Sequence, residues 1–294
     1  MLPDGLECSK KMIFSLLTEP LFTLMPKHVL ITGASSGIGK AAAHYFASQG
    51  WNVSATMRTP AKETELNQLP QVKLFALDVT DTQSITTAFR EAEAAFGPID
   101  VVVNNAGYGA DGIFEAMSDE VIERQFDTNV FGLMRVTRAA IAAMRPRRQG
   151  TIVQIASMGG RLAFPLFSIY HGTKWAVEGF SESLQFELAP VNIRVKIVEP
   201  GPIKTDFYGR SRDFIGSELP DYQEILSKVE KVNSSTVEAS ASPEAVARVI
   251  YRASTDTSSR IRFAIGQPGP MLLGLRKLLP DSWWFAVVRS TYKL

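Results

Sequence analysis

The octapeptide Thr32-Gly33-Ala34-Ser35-Ser36-Gly37-Ile38-Gly39 constrains this chain more than any other stretch. It follows the apolar run Val29-Leu30-Ile31 and opens a helical pattern. Glycines at this spacing, between a strand and a helix, let the backbone turn tightly and bring helix N-terminal N–H groups against a phosphate. At this composition such a string should arise by chance in roughly one chain in a hundred or fewer. It predicts a strand–loop–helix dinucleotide site at the head of an α/β sheet.

The rest of the chain agrees with that start. Strand patterns over 29–32, 53–57, 73–77, 100–103, 151–156, 194–198 and 262–265 alternate with helix patterns over 41–49, 84–96, 119–143 and 168–188. This is the rhythm of a parallel sheet with crossover helices. Gly50 stops the first helix, and Ser242-Pro243-Glu244 starts another with an N-cap and a proline at the first helical position. Residues 206–241 read as a mobile segment with a short amphipathic helix carrying Tyr222, Ile225, Leu226 and Val229. There is no repeat, low-complexity tract or linker. The expected architecture is a single Rossmann-type, doubly wound domain over 27–270, with an N-terminal extension (1–26) and an apolar helical C-terminal extension (271–294).

Bulk properties narrow the function. A hydrophobic fraction of 45% over 294 residues supports a large core and excludes a disordered chain. The net charge of +1, spread along the chain, gives no nucleic acid a footprint. Cys8 is the one cysteine, so there is no disulfide framework, and a reducing, cytoplasmic setting is expected with peripheral membrane contact left open. His28, His44 and His171 lack ligand spacing, so no metal site is expected. Near the N-terminus, Lys10-Lys11 before Met12-Ile13-Phe14 resembles a signal peptide, but Glu19 and Pro20 interrupt the apolar run, which is too short to span a bilayer. Met25 would itself be a natural translation start. The segment reads as a dispensable extension, with a docking arm or targeting as alternatives. The apolar tail (271–279 and 283–288) should pack on its own domain, a subunit contact or a membrane surface being the other options.

A second motif supplies chemistry. Tyr170 and Lys174 stand four residues apart in a helix pattern, on one face. With 7 tyrosines in the chain, such a pair arises by chance about 0.3 times, so its weight comes from coexisting with the glycine loop. A phenol beside an ammonium is a usable proton donor and acceptor, and a dinucleotide carries hydride, so the pair of motifs reads as a carbonyl–alcohol oxidoreductase. Ser157, just after the fifth strand, can hydrogen-bond a developing alkoxide or simply cap a turn. His171 should point about 100° away from Tyr170 and take no part.

For the cofactor, the second strand ends in Thr56-Met57-Arg58, without the acid that would hold an NAD ribose. Arg58 can pair with a 2′-phosphate, which favours NADP(H), or be a solvated loop residue. Asp78, followed by Val79, could accept from an adenine amine or cap a turn. Asn104-Asn105-Ala106-Gly107 ends the fourth strand where open α/β sheets bind ligands.

With these residues together, the chain resembles the short-chain dehydrogenases/reductases over 27–266, and most nearly their 17β-hydroxysteroid/retinol dehydrogenase-like branch. The branch is suggested by Tyr108-Gly109 and by the run from Tyr170 to Gly179. The resemblance implies a catalytic set of Asn129, Ser157, Tyr170 and Lys174, with Asn129 holding a kink and a water in a proton relay. It implies that Lys174 binds the nicotinamide ribose and that Pro200, Gly201, Ile203 and Thr205 line the nicotinamide. The cofactor would otherwise rest on Gly33, Ser35, Ser36, Gly37, Ile38, Gly39, Arg58, Asp78, Val79, Asn105, Ala106 and Gly107. An apolar alcohol or carbonyl substrate would meet Ser157, Tyr108, Met158, Phe164, Phe167 and Phe207. A homodimer or homotetramer is an open expectation. Competing readings are an acyl-thioester ketoreductase and a non-catalytic dinucleotide-sensing scaffold. A serine hydrolase fails, since Ile155-Ala156-Ser157-Met158-Gly159 lacks the leading glycine of a nucleophile elbow.

Overall fold

Strand β1 (His28–Ile31) is buried along its whole length, as a short apolar run covered on both faces must be. The computed structural model describes residues 26–203, 212–238 and 240–294. Six further parallel strands join β1: β2 (Asn52–Met57), β3 (Val72–Ala76), β4 (Val101–Asn104), β6 (Gly150–Ile155), β7 (Ile193–Pro200) and β9 (Arg262–Ile265). Their spatial order is β3-β2-β1-β4-β6-β7-β9, which reverses direction between β1 and β4 and so opens a crevice at their C-terminal ends.

Alternation along the strands divides the core. Leu30, Val102, Ile152 and Val195 face helices α2 (Thr82–Phe96), α4 (Leu133–Met144) and α5 (Ser168–Leu188). Val29, Ile31, Val53, Val101, Val103 and Val153 face the other way, towards α1 (Gly37–Ser48) and α7 (Pro243–Thr255). The sheet is therefore covered on both sides, which is the expected doubly wound arrangement.

Element positions follow the sequence reading closely, with instructive departures. Helix α1 starts at Gly37 rather than residue 41, because the glycine loop itself forms the first helical turn. The single helix expected over 119–143 is three pieces: α3 (Asp119–Phe126), a π-helical turn (Asp127–Gly132) and α4. Its side-chain period is helical throughout, so the pattern hides the widened turn; tertiary hydrogen bonds to Asn129 produce it. A parallel two-stranded ribbon of β5 (Gly109–Gly112) and β8 (Arg212–Ile215) was not expected. Gly-Ala-Asp-Gly has no strand signature; it is extended because Ala110 N–H donates to the buried Gln125 Oε1 (3.1 Å) and the chain pairs with β8.

The amphipathic helix expected after residue 206 is α6 (Gln223–Glu238), with Leu226 and Val229 buried. Helices α8 (Gly269–Leu278) and α9 (Asp281–Tyr292) form the C-terminal extension. They pack on the domain through Trp284, which is 2% exposed and clusters with Met158, Leu162 and Leu273. Residues 1–25, Thr205 and Phe207 lie outside the described residues.

Candidate active site

The glycine loop is held in place by the loop after β4. Thr32 Oγ1 donates to Val103 O (3.3 Å) and accepts from the N–H groups of Asn105 and Ala106 (both 3.0 Å). The Asn105 amide donates back to Thr32 O (2.9 Å) and Gly33 O (3.1 Å). Gly33 sits at φ +66°, and a Cβ there would lie 2.9 Å from Ala106 Cα; a Cβ on Gly39 would lie 2.3 Å from Gly33 O. Only glycine fits these two positions, and the space they leave suits the close approach of a dinucleotide phosphate. Asn104 turns the other way, donating to Thr137 Oγ1 and Gln154 Oε1 (both 2.9 Å). Sequence reasoning missed Thr32, Thr137 and Gln154 as positioning residues. The threonine before the first glycine was the available signal for one of them.

Arg58 is exposed on the wall of the cleft that contains the loop, with no ion pair among the described residues. Asp78 lines the same cleft and also makes a turn, its Oδ1 accepting from Thr80 N–H (2.9 Å) and Thr80 Oγ1 (2.7 Å). Val79 lines the cleft and packs beneath Gly132 of the π-helical turn.

The expected catalytic residues converge from three segments. Asn129, in the π-helical turn, uses both ends of its amide on one residue: Nδ2 donates to Tyr108 O (2.8 Å) and Oδ1 accepts from Tyr108 N–H (3.1 Å). Its Nδ2 also reaches Thr173 Oγ1 (3.3 Å), which donates to Tyr170 O (2.8 Å). Ser157 caps the turn Met158–Gly160, its Oγ accepting from Gly159 N–H (3.0 Å) and donating to Pro200 O (3.4 Å). Cap and reactive hydroxyl are thus compatible roles at one atom. Lys174, 8% exposed, donates from Nζ to Ile155 O (2.9 Å), with Nζ 5.8 Å from the centre of the Tyr170 ring. Burial lowers its pKa to about 8, although the charge of Glu178 opposes the shift.

His171, set aside as a reactive group, is a buried packing residue. Burial lowers its pKa to about 4, so it is neutral at physiological pH, and its Nδ1 accepts from Phe164 N–H (3.3 Å). A Cβ on Gly159 would collide with this ring, 2.6 Å from Cδ2, so His171 supports the Ser157 turn from below.

Nearly all of these residues line one cleft of about 1730 Å³. Its walls take in Gly33 to Ile38 apart from Ala34, then Asn105 to Tyr108, and Ser157, Tyr170, Lys174, Pro200, Gly201 and Ile203. The apolar wall combines Met158, Phe164 and Phe167 with Leu272, Trp284, Val288 and Tyr292 from the C-terminal helices. Gly39 and Asn129 do not line it: the first packs against Gly33, and the second is buried behind Gly107 and Tyr108. Sequence reasoning missed the contribution of α8 and α9, because nothing local says where a terminal helix will pack. Among the described residues there is no cluster of metal-ligating side chains, and no helix is long and apolar enough to cross a membrane.

A doubly wound sheet with a glycine-lined crevice and an assembled Ser–Tyr–Lys set defines a dinucleotide-dependent class of α/β protein. The chain belongs to the short chain dehydrogenase family, whose model matches residues 27–215. It is 37% identical to the uncharacterized oxidoreductase YusZ of Bacillus subtilis, over 90% of this chain and 98% of that protein. It is 31% identical to a 3-ketodihydrosphingosine reductase of Bacteroides thetaiotaomicron, over 92% of this chain and all of that one. Among solved structures, a short-chain dehydrogenase from Streptomyces avermitilis matches with a TM-score of 0.77 at 35% identity, over 90% of this chain and 99% of the other. ElxO with NADP bound matches with a TM-score of 0.68 at 28% identity, over 82% and 97%. The protein is an oxidoreductase of this family.

Proposed function

We propose that the protein is an NADP(H)-dependent carbonyl reductase and alcohol dehydrogenase for apolar substrates, working in the cytoplasm. The carrying observation is the buried Lys174 ammonium between the Tyr170 ring and Ile155 O, in the cleft that also holds the glycine loop and Arg58. The cofactor would rest its phosphates on the loop from Gly33 to Gly39 and its 2′-phosphate on Arg58. Asp78 and Val79 would take its adenine, Asn105 to Gly107 and Lys174 its riboses, and Pro200 to Ile203 its nicotinamide. When bound, it supplies the hydride.

The protein's own groups manage the oxygen and its proton. Ser157 Oγ–H donates to the substrate oxygen, and the Tyr170 phenol delivers a proton to it in reduction or removes one in oxidation. To work near neutrality the phenol must give up its proton more easily than an ordinary tyrosine, by about 4 kcal/mol. The Lys174 ammonium, 5.8 Å from the centre of the Tyr170 ring, favours the phenolate and so works in that direction, provided that it stays protonated. The intact set argues against a sensing scaffold.

The lining of Tyr108, Met158, Phe164 and Phe167, with Trp284 and Val288 added from the C-terminal helices, supports selection by shape and apolar area. A 3-keto lipid, such as the substrate named for the Bacteroides relative, has that character. NADPH oxidation measured across a panel of carbonyl compounds tests the reading. Bulky apolar ketones or aldehydes should be reduced with NADPH preferred to NADH, and Arg58→Asp should move the preference towards NADH. Equal or better turnover with NADH by the unaltered protein would refute the cofactor assignment.

A further inference from the structure

One helical turn after Lys174, Glu178 is a buried carboxylate for which the proton chemistry above has no use. Its Oε2 accepts from Arg262 Nε and Nη2 on β9 (both 3.0 Å), while its buried Oε1 has no partner among the described residues. Arg262 also reaches Glu199 Oε1 (3.3 Å) and Glu182 Oε1 (2.8 Å), and Arg161 Nη1 donates to Glu199 Oε1 (3.2 Å).

These partners come from the segments that build the site. Arg161 ends the turn begun by Ser157, Glu199 precedes Pro200 at the end of β7, and Glu178 shares α5 with Tyr170 and Lys174. Gly160 makes the contact close, since a Cβ on it would lie 2.8 Å from Glu178 Cγ and 2.9 Å from Lys174 O. Around Glu178, three cations (Lys174, Arg161 and Arg262) face two further carboxylates (Glu182 and Glu199).

We propose that Glu178 is a positioning residue of the reaction, which keeps the Lys174 ammonium charged and, through Arg262, Glu199 and Arg161, locks α5, the Ser157 turn and the end of β7 together. The inference rests on the reading of Tyr170 and Lys174 given above. Burial favours loss of the Lys174 proton, and a carboxylate one turn away favours keeping it. Burial and the neighbouring Glu199 in turn raise the pKa of Glu178, against the pull of Arg262 and Arg161. Its charge is thus fullest on the alkaline side of neutrality, where Lys174 would otherwise be lost.

Removing a negative charge lowers the pKa of a nearby ammonium, whereas on the Tyr170 phenol that direct effect is opposed by the earlier loss of the Lys174 charge, so Lys174 itself is the group to follow. The test follows the Cε chemical shift of Lys174 against pH in lysine-labelled protein, with Lys174→Met to assign the signal, in wild type, Glu178→Gln and Glu178→Asp, alongside the pH profile of NADPH-dependent turnover. In Glu178→Gln the Lys174 titration and the alkaline fall in reduction should both move to lower pH by at least about half a unit. Glu178→Asp should restore most of that shift. Should Glu178→Gln fail to fold, Glu199→Gln removes the other carboxylate of the cluster and must move the Lys174 titration in the same direction. An unchanged Lys174 titration in a folded variant would overturn the proposal and leave Glu178 merely structural. The titration needs no substrate, so a shift without carbonyl turnover in wild type would refute the proposed function and still support Glu178.

Discussion

At the scale of single residues, burial sets how tightly the groups of the cleft hold their protons. Tyr170 and Lys174 share a helix face, yet the ammonium matters because it is 8% exposed and holds its proton only to about pH 8. Reduction should therefore decline as pH rises through about 8, when Lys174 is discharged and the phenol loses its neighbour; a pH–rate profile of NADPH oxidation checks this. Tyr170→Phe should remove turnover and leave NADPH binding nearly intact, as read by steady-state kinetics beside cofactor fluorescence titration. A variant retaining a tenth of wild-type activity would show that another group moves the proton.

His171 makes the opposite case, a titratable ring made inert. Its folded pKa of about 4 lies below the ordinary 6.5, so below pH 6.5 the unfolded chain binds a proton that the native state refuses. Stability should consequently fall between pH 6.5 and pH 4, by on the order of 3 kcal/mol from this residue. Buried His28, whose pKa is also lowered by burial, adds to the trend. His171→Asn should flatten the pH dependence of denaturant midpoints over that window without abolishing it.

At the scale of elements, the π-helical turn is the informative departure. A regular helix through 119–143 would satisfy every local preference, but it would not present Asn129 to the Tyr108 backbone. Widened turns of this kind are frequent at functional sites. Gly132 lets the turn settle onto Val79, since a Cβ there would lie 2.7 Å from Val79 Cγ2. Gly132→Ala should cost about 1–3 kcal/mol by overpacking and, through the displaced Asp78–Val79 segment, raise KM for NADPH more than it lowers kcat. Thermal unfolding with steady-state kinetics would measure both. An unchanged KM would mean that the Val79 segment does not touch the cofactor.

At the scale of the whole molecule, the C-terminal helices complete a cleft whose other walls belong to the sheet domain. Trp284 is their anchor, and Trp284→Ala should cost roughly 3–5 kcal/mol locally by opening a cavity against Met158, Leu162 and Leu273. The expected outcome is a separate, lower-temperature transition for α8 and α9. With it, kcat/KM should fall for bulky apolar carbonyl compounds far more than for small ones. A substrate series on that variant measures it, and equal losses across the series would show that the extension does not shape the pocket.

The positions of most strands and helices, and with them the doubly wound class, were legible because they depend on local periodicity and short spacings. Helix α5 and strand β9 match the expected 168–188 and 262–265 for that reason. The glycine loop was legible because backbone conformation at Gly33 admits almost nothing else. Tertiary structure alone decided the ribbon of β5 and β8, the π-helical turn, the packing of Trp284 and the pairing of Glu178 with Arg262, 84 residues away. Each depends on partners distant in sequence, whose hydrogen bonds and burial override or ignore local preference, and no short window of residues contains both sides of such a contact.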